Sequence, residues 1–278
     1  MSCKALLALV IASASFVSST AWAERVVSIG GTVTEIVYLL GESDQLVATD
    51  TSSVYPEAAN QTPKVGYQRT LSAEGVLSVR PDMLLLTTTA GPQSVLRQLE
   101  DTGIQSKVID TPRTKQGILD AIQTVADALQ VPAKGQTAVA DVEAAFDQLE
   151  RPQNWTKAPR LLFIMQMGGS PMIAGRDTGP DGLFNLAGAI NAAGDVQGYK
   201  NLTPEALMQA QPDAIVVTSH GSHGSKADTI WRIPGIKSTP AAQAKRLIEL
   251  DTLLALGFGP RTPQAIEAIY QQMGDWTP

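Results

Sequence analysis

Residues 71–86 read LSAEGVLSVRPDMLLL, and residues 202–217 read LTPEALMQAQPDAIVV. The two stretches align without a gap at a constant offset of 131, pairing Leu71 with Leu202, Ser72 with Thr203, Glu74 with Glu205, and Pro81-Asp82 with Pro212-Asp213. A match at fixed offset marks an internal repeat. Each copy encodes the same local structure. Ser72 or Thr203 suits a helix N-cap, its hydroxyl accepting from orphan backbone N–H groups. Pro204 suits the first helical position. Glu74 and Glu205 fall in the first turn, where the positive end of the helix dipole favours a carboxylate. Pro81 or Pro212 then stops the helix, and Asp82 or Asp213 turns the chain. The apolar runs MLLLT and AIVVT that follow read as buried parallel strands.

Outward from the repeat, the halves keep corresponding. RVVSIGG from Arg25 and RLLFIMQMGG from Arg160 are strands ending in glycines, and each leads to a helix closed by Gly41 or Gly188. Strand–helix alternation predicts parallel sheets with helices on both faces. Between the halves, QGILDAIQTVADALQVP is an amphipathic helix ending near Pro132. The next segment carries Ala138, Val142, Ala145, Phe146 and Leu149 on one face. It reads as a stiff connector that limits hinge motion. The predicted fold class is α/β: two Rossmann-like lobes with parallel sheets, residues 24–131 and 153–278, joined by a rigid connecting helix at 132–152. Such a fold places a ligand cleft between the lobes, at the strand ends. The loop VGYQRTLSAEG, Val65 to Gly75, precedes the first repeat helix and is placed to line that cleft.

Residues 1–23 stand apart. Lys4 gives a short positive start, Ala5 to Val17 is almost wholly apolar or small, and Ala21-Trp22-Ala23 fits a small-x-small cleavage site. This reads as a secretory signal peptide too short to anchor in a membrane, with the mature chain starting at Glu24 in a periplasm. Cys3 is the only cysteine, so the mature chain has no disulfide or thiolate ligand. No later run reaches the length of a membrane span. A net charge of −6 argues against nucleic-acid binding, which needs a basic face. No G-x-S-x-G elbow, P-loop or complete dinucleotide fingerprint supports an enzyme.

The segments VGYQR, LSAEG, MGGSPMIAGRDTGPDGLFNLAGAINA, GYKNLTPEALMQAQPDAIVVT, IPGI and LGFGPRTPQAI span essentially the whole mature chain. In these it resembles the periplasmic haemin-binding proteins of bacterial ABC-type haem importers. The resemblance implies that Tyr67 is the axial ligand to the iron of ferric haem b, carried as cargo. Phenolate is a hard anionic donor suited to Fe(III), and Arg69 would favour its ionised form. Glu74 and Glu205 would dock, one from each lobe, into arginine pockets of an inner-membrane permease that works with an ATPase. A monomer is expected.

Some relatives carry a second iron ligand, a histidine, where this chain has Met167. A thioether suits ferric iron beside a phenolate poorly, so Met167 is expected to pack on the porphyrin edge, leaving five-coordinate iron. His220 and His223, in TSHGSHGSK, are candidates for a second ligand or a propionate contact, although their spacing is no metal signature. Arg176 and Lys226 are candidate propionate partners, and Tyr199 in GYKNL is a further candidate contact. The loop TTTAGPQS, Thr87 to Ser94, is expected to line the cleft. The alternative cargo for the same fold is a ferric siderophore or cobalamin, against which the Tyr67 loop discriminates. A zinc or manganese carrier would need more clustered histidines and carboxylates.

Overall fold

The structure is a computed structural model whose described residues are 24–167, 170–219 and 227–278. The expected signal segment with Cys3, the side chain of Met167, and His220, His223 and Lys226 lie outside the described residues.

The first sheet contains β1 (Val26–Ile29), β2 (Leu46–Thr49), β3 (Met83–Thr87) and β4 (Gln105–Ile109). Their order is β2-β1-β3-β4, and every pairing is parallel. Helices α1 (Gly31–Leu39), α2 (Ala73–Leu77), α3 (Gln93–Glu100) and α4 (Lys115–Ala128) alternate with these strands. Helix α5 (Pro132–Asp147) then carries the chain to the second sheet. That sheet is built from β5 (Arg160–Met167), β6 (Ser170–Ala174), β7 (Ile190–Asn191), β8 (Tyr199–Asn201), β9 (Ala214–Ser219) and β10 (Leu247–Asp251). Its helices are α6 (Gly179–Leu186), α7 (Pro204–Ala210), α8 (Ala227–Ile230), α9 (Pro240–Gln243), α10 (Thr252–Leu256) and α11 (Thr262–Gln272).

The second sheet runs β10-β9-β5-β6-β8, with β7 beside β5. Its β10, β9, β5 and β7 pair in parallel, whereas β6 and β8 add on antiparallel. The sequence pattern joins the strand at Arg160 directly to the helix ending before Gly188; in the structure SPMIA intervenes, folding back on β5 as an antiparallel partner.

The internal repeat holds in three dimensions. Ser72 caps α2 by accepting from Gly75 N at 3.0 Å, and Thr203 caps α7 by accepting from Ala206 N at 3.2 Å. Asp82 N donates to Arg25 O at 2.8 Å while its carboxylate accepts from Arg25 N at 3.0 Å. Asp213 does the same with Arg160, at 2.8 Å in each direction. The β1–β3 register sets Val26 against Met83, and β5–β9 sets Leu161 against Ala214.

Both faces of the central strands are covered, so β1, β3, β5 and β9 carry near-continuous apolar runs, whereas the outer strands β4 and β8 are largely exposed. One face of each sheet joins a single core that includes Leu85, Ile122 of α4, Val142 of α5, Phe163 and Val216. Smaller cores fill the outer faces, around Leu84 and Leu86 in the first lobe and around Leu162 and Val217 in the second. Parting the lobes would return shared apolar area to water, which opposes wide hinge opening. Among the described residues no helix is long and apolar enough to cross a membrane.

Candidate functional site: a cleft between the lobes

A cleft of about 670 Å³ opens between the lobes, within the usual range for small-molecule sites. The first lobe lines it with loops at the C-terminal ends of its strands: Gly30 to Thr32 after β1, Thr51 and Ser52 after β2, Thr87 to Thr89 after β3, and Asp110 to Arg113 after β4. The second lobe contributes Gly179, Tyr199, Thr252, Leu253 and Leu256 to Phe258. Leu253, Leu256, Phe258 and Val54 make parts of the wall apolar.

Tyr67 and Arg69 also line the cleft, on a loop fixed by its backbone. Gly66 O accepts from Thr51 N at 2.8 Å, and Gln68 O accepts from Gly91 N at 2.9 Å. The carboxylate of Asp50, fully buried, gathers the surrounding loops. Its Oδ1 accepts from Gly30 N at 2.9 Å and Ser53 Oγ at 2.8 Å; its Oδ2 accepts from Ser52 N at 2.9 Å and Gln68 N at 3.3 Å. Removing such a hub leaves buried donors unsatisfied. Asp50→Ala is therefore expected to cost about 3 kcal/mol of stability, read by urea denaturation. An unchanged midpoint would show that water replaces the carboxylate.

Tyr67 remains 43% exposed on this loop. Among the described residues its hydroxyl makes no hydrogen bond, and neither Arg69 nor Arg113 forms an ion pair. Tyr199 faces them from the second lobe. Burial raises its pKa, while Arg113 and Arg69 pull it back down, so both guanidinium groups act on the same region of the cleft.

The structure thus brings Tyr67, Arg69 and Tyr199 together. It does not bring Arg176 to them: that residue is exposed just after β6, its backbone bonded to Val196 and Gly198, outside the described lining. Glu74 and Glu205 lie exposed in the first turns of α2 and α7, also outside the lining. The reading of the sequence missed Arg113 and gave Phe258 no role. Arg113 was findable, since DTPRTK follows β4 at the strand end where the cleft was expected. Nothing in the sequence alone signalled which way Phe258 faces.

Beside the cleft, the lobes are latched. Arg261, in the GFGPR segment, donates from Nη2 to Glu35 Oε2 at 3.0 Å and from its backbone N to Glu35 Oε1 at 3.3 Å. The guanidinium stacks on Tyr55, 3.4 Å from the ring centroid. Thr32 Oγ1 donates to Gly257 O. Gly31 permits the close approach, because a Cβ there would sit 2.6 Å from Ser52 O and 2.8 Å from Leu253 Cδ1. Burial raises the pKa of Glu35, and the Arg261 contacts only partly offset it. The folded protein therefore holds this proton to higher pH than the unfolded chain does. Stability from this group falls as pH climbs from 4.5, the ordinary value, through the raised pKa. The stability of Glu35→Gln relative to wild type should therefore rise as pH climbs through that window, from whatever offset the loss of the Arg261 pair sets below it. Urea titrations at stepped pH read this; parallel curves would contradict it.

Two lobes on a shared core, with an inter-lobe cleft fed by strand-end loops, define a bilobal ligand-binding protein. The chain belongs to the periplasmic binding protein family, whose profile matches residues 26–253. Among solved structures it is similar to the periplasmic heme-binding protein BhuT in complex with two hemes (TM-score 0.85, 35% identity, 91% of this chain and 98% of that one). It is also similar to the periplasmic heme-binding protein RhuT from Roseiflexus sp. RS-1 (TM-score 0.83, 37% identity, 91% and 98%). The vitamin B12-binding protein of Vibrio parahaemolyticus is 26% identical over 246 residues, 87% of this chain and 86% of that protein.

Proposed function

We propose that this chain binds ferric haem b in the cleft and carries it through the periplasm to the permease and ATPase of an inner-membrane ABC importer. The observation that carries the reading is the exposed Tyr67 phenol on a fixed loop, sharing one cleft with the guanidinium groups of Arg69 and Arg113, none of which has a hydrogen-bond or ion-pair partner among the described residues. A ferric porphyrin needs these features: an anionic oxygen for the metal, cations for two propionates and apolar walls for the macrocycle. Tyr67 is the axial ligand in this reading, and Arg69 favours its ionised form. Arg113 and Tyr199 contact the cargo from either side. Met167, His220, His223 and Lys226 keep their roles as candidate contacts; Arg176 does not. The lobes are 24–131 and 153–278 about the connector 132–152, the leader is 1–23, and the protein acts as a monomeric carrier rather than a catalyst. The haem names of structural relatives above 30% identity support the cargo.

Cobalamin is the second reading, favoured by the 26% identical vitamin B12-binding relative. Thermal and urea stability, measured with haemin, cyanocobalamin or ferric desferrioxamine, separates them. Haemin at one hundred times its Kd should add about 2.7 kcal/mol, and the others nothing. Stabilisation by cyanocobalamin alone would transfer the assignment to the second reading.

A further inference from the structure

The repeat relates more than the two glutamates. Three residues beyond Glu74 lies Leu77, 36% exposed; three residues beyond Glu205 lies Met208, 57% exposed. Leu77 and Met208 stand at the same offset of 131 as the glutamates. Their neighbours Val76 and Leu207 are buried, so each helix packs an apolar side chain inward and holds the next one out. On a helix, positions i and i+3 are adjacent. Each lobe therefore presents a carboxylate beside an exposed apolar side chain. Other exposed apolar residues, such as Leu39, Val108 and Ile190, are scattered without a counterpart and need no explanation.

Both helices follow segments that line the cleft. Helix α2 starts shortly after Tyr67 and Arg69, where Leu71 N bonds to Gly91 O on the loop following β3. Helix α7 starts shortly after Tyr199, where Leu202 N bonds to Pro171 O. Among the described residues neither Glu74 nor Glu205 forms an ion pair.

Resting on the docking role that the family resemblance implies for the two glutamates, we infer that Leu77 and Met208 form, with Glu74 and Glu205, a two-point docking surface for a permease built from two like subunits, each offering an apolar seat beside its cationic pocket. The doubled geometry fits a receiver with the same twofold character. The carboxylates supply steering and register, and the apolar side chains supply contact that salt does not screen. A soluble partner of unrelated symmetry would have no use for two equivalent patches on separate lobes.

The test measures binding of the haemin-loaded protein to the haem permease and ATPase of the same bacterium in lipid nanodiscs, across a salt series. The variants are Leu77→Ser, Met208→Ser, both together, and Glu74→Ala with Glu205→Ala. All four positions are exposed, and haemin titration of each variant checks that the cleft is intact. Each serine should weaken binding about fivefold and the pair about 25-fold, with an unchanged salt slope. The glutamate pair should weaken binding and flatten the slope. Serine variants that bind like wild type, beside weakened glutamate variants, would overturn the apolar seats while leaving carboxylate docking in place. No change in any variant, or no binding by wild type, would overturn both.

Discussion

Replacing Arg261 by alanine is expected to cost about 3–5 kcal/mol of folding stability, because it strands the buried Glu35 carboxylate without its cation. The side chains of Arg261 and Glu35 are only 14% and 6% exposed, so solvent screens the pair little. The substitution also removes the stack on Tyr55. Arg261→Lys should recover only part of the loss, since an ammonium cannot keep both the carboxylate contact and the flat stack. The double replacement Glu35→Met with Arg261→Met should lie much nearer wild type, as buried ion pairs are often matched by apolar side chains of similar volume. Urea denaturation of the three variants measures this. Equal losses in all three would mean that packing, rather than the stranded charge, sets the cost. Small-angle scattering of Arg261→Ala should show a wider distribution of lobe separations, since the latch and the Thr32–Gly257 bond span the lobes beside the cleft.

The second large effect falls on the cargo. Tyr67→Phe keeps the ring and removes the one oxygen proposed to meet iron, so haemin affinity should drop by about 100-fold or more. Competition with apomyoglobin reads the loss. Folding stability should hardly change, because the ring is exposed and its hydroxyl makes no hydrogen bond among the described residues. Arg69→Ala should cost less, about tenfold, since it acts on the phenolate and propionates rather than on the metal. A Tyr67→Phe protein that competes as well as wild type would move the ligand elsewhere in the chain.

Much of this was legible in the sequence because it is written twice. The caps at Ser72 and Thr203, the stops at Pro81 and Pro212, and the strands after Asp82 and Asp213 are local signals, and the repeat made each confirm the other. The antiparallel strand at Ser170–Ala174 was missed because it is short and lies where the first lobe has no counterpart. Tyr67, Arg69 and Tyr199 were found through motifs. Arg176 was carried along by its charge, but the turn after β6 leaves it outside the described lining. The latch was beyond reach. Glu35 and Arg261 are 226 positions apart, and nothing local marks a glutamate within an apolar helix as the partner of an arginine in the other lobe. Asp50 was likewise silent, since its role arises only when four separate backbone and hydroxyl donors converge.

Ferric haem is proposed to sit in the inter-lobe cleft on the Tyr67 oxygen. The most direct measurement is a haemin titration of the mature protein followed by absorbance. Haemin held on Tyr67 should give a saturable spectrum carrying a phenolate-to-iron charge-transfer band, absent from the same titration of Tyr67→Phe. No saturable binding, or an identical band in the variant, would contradict it.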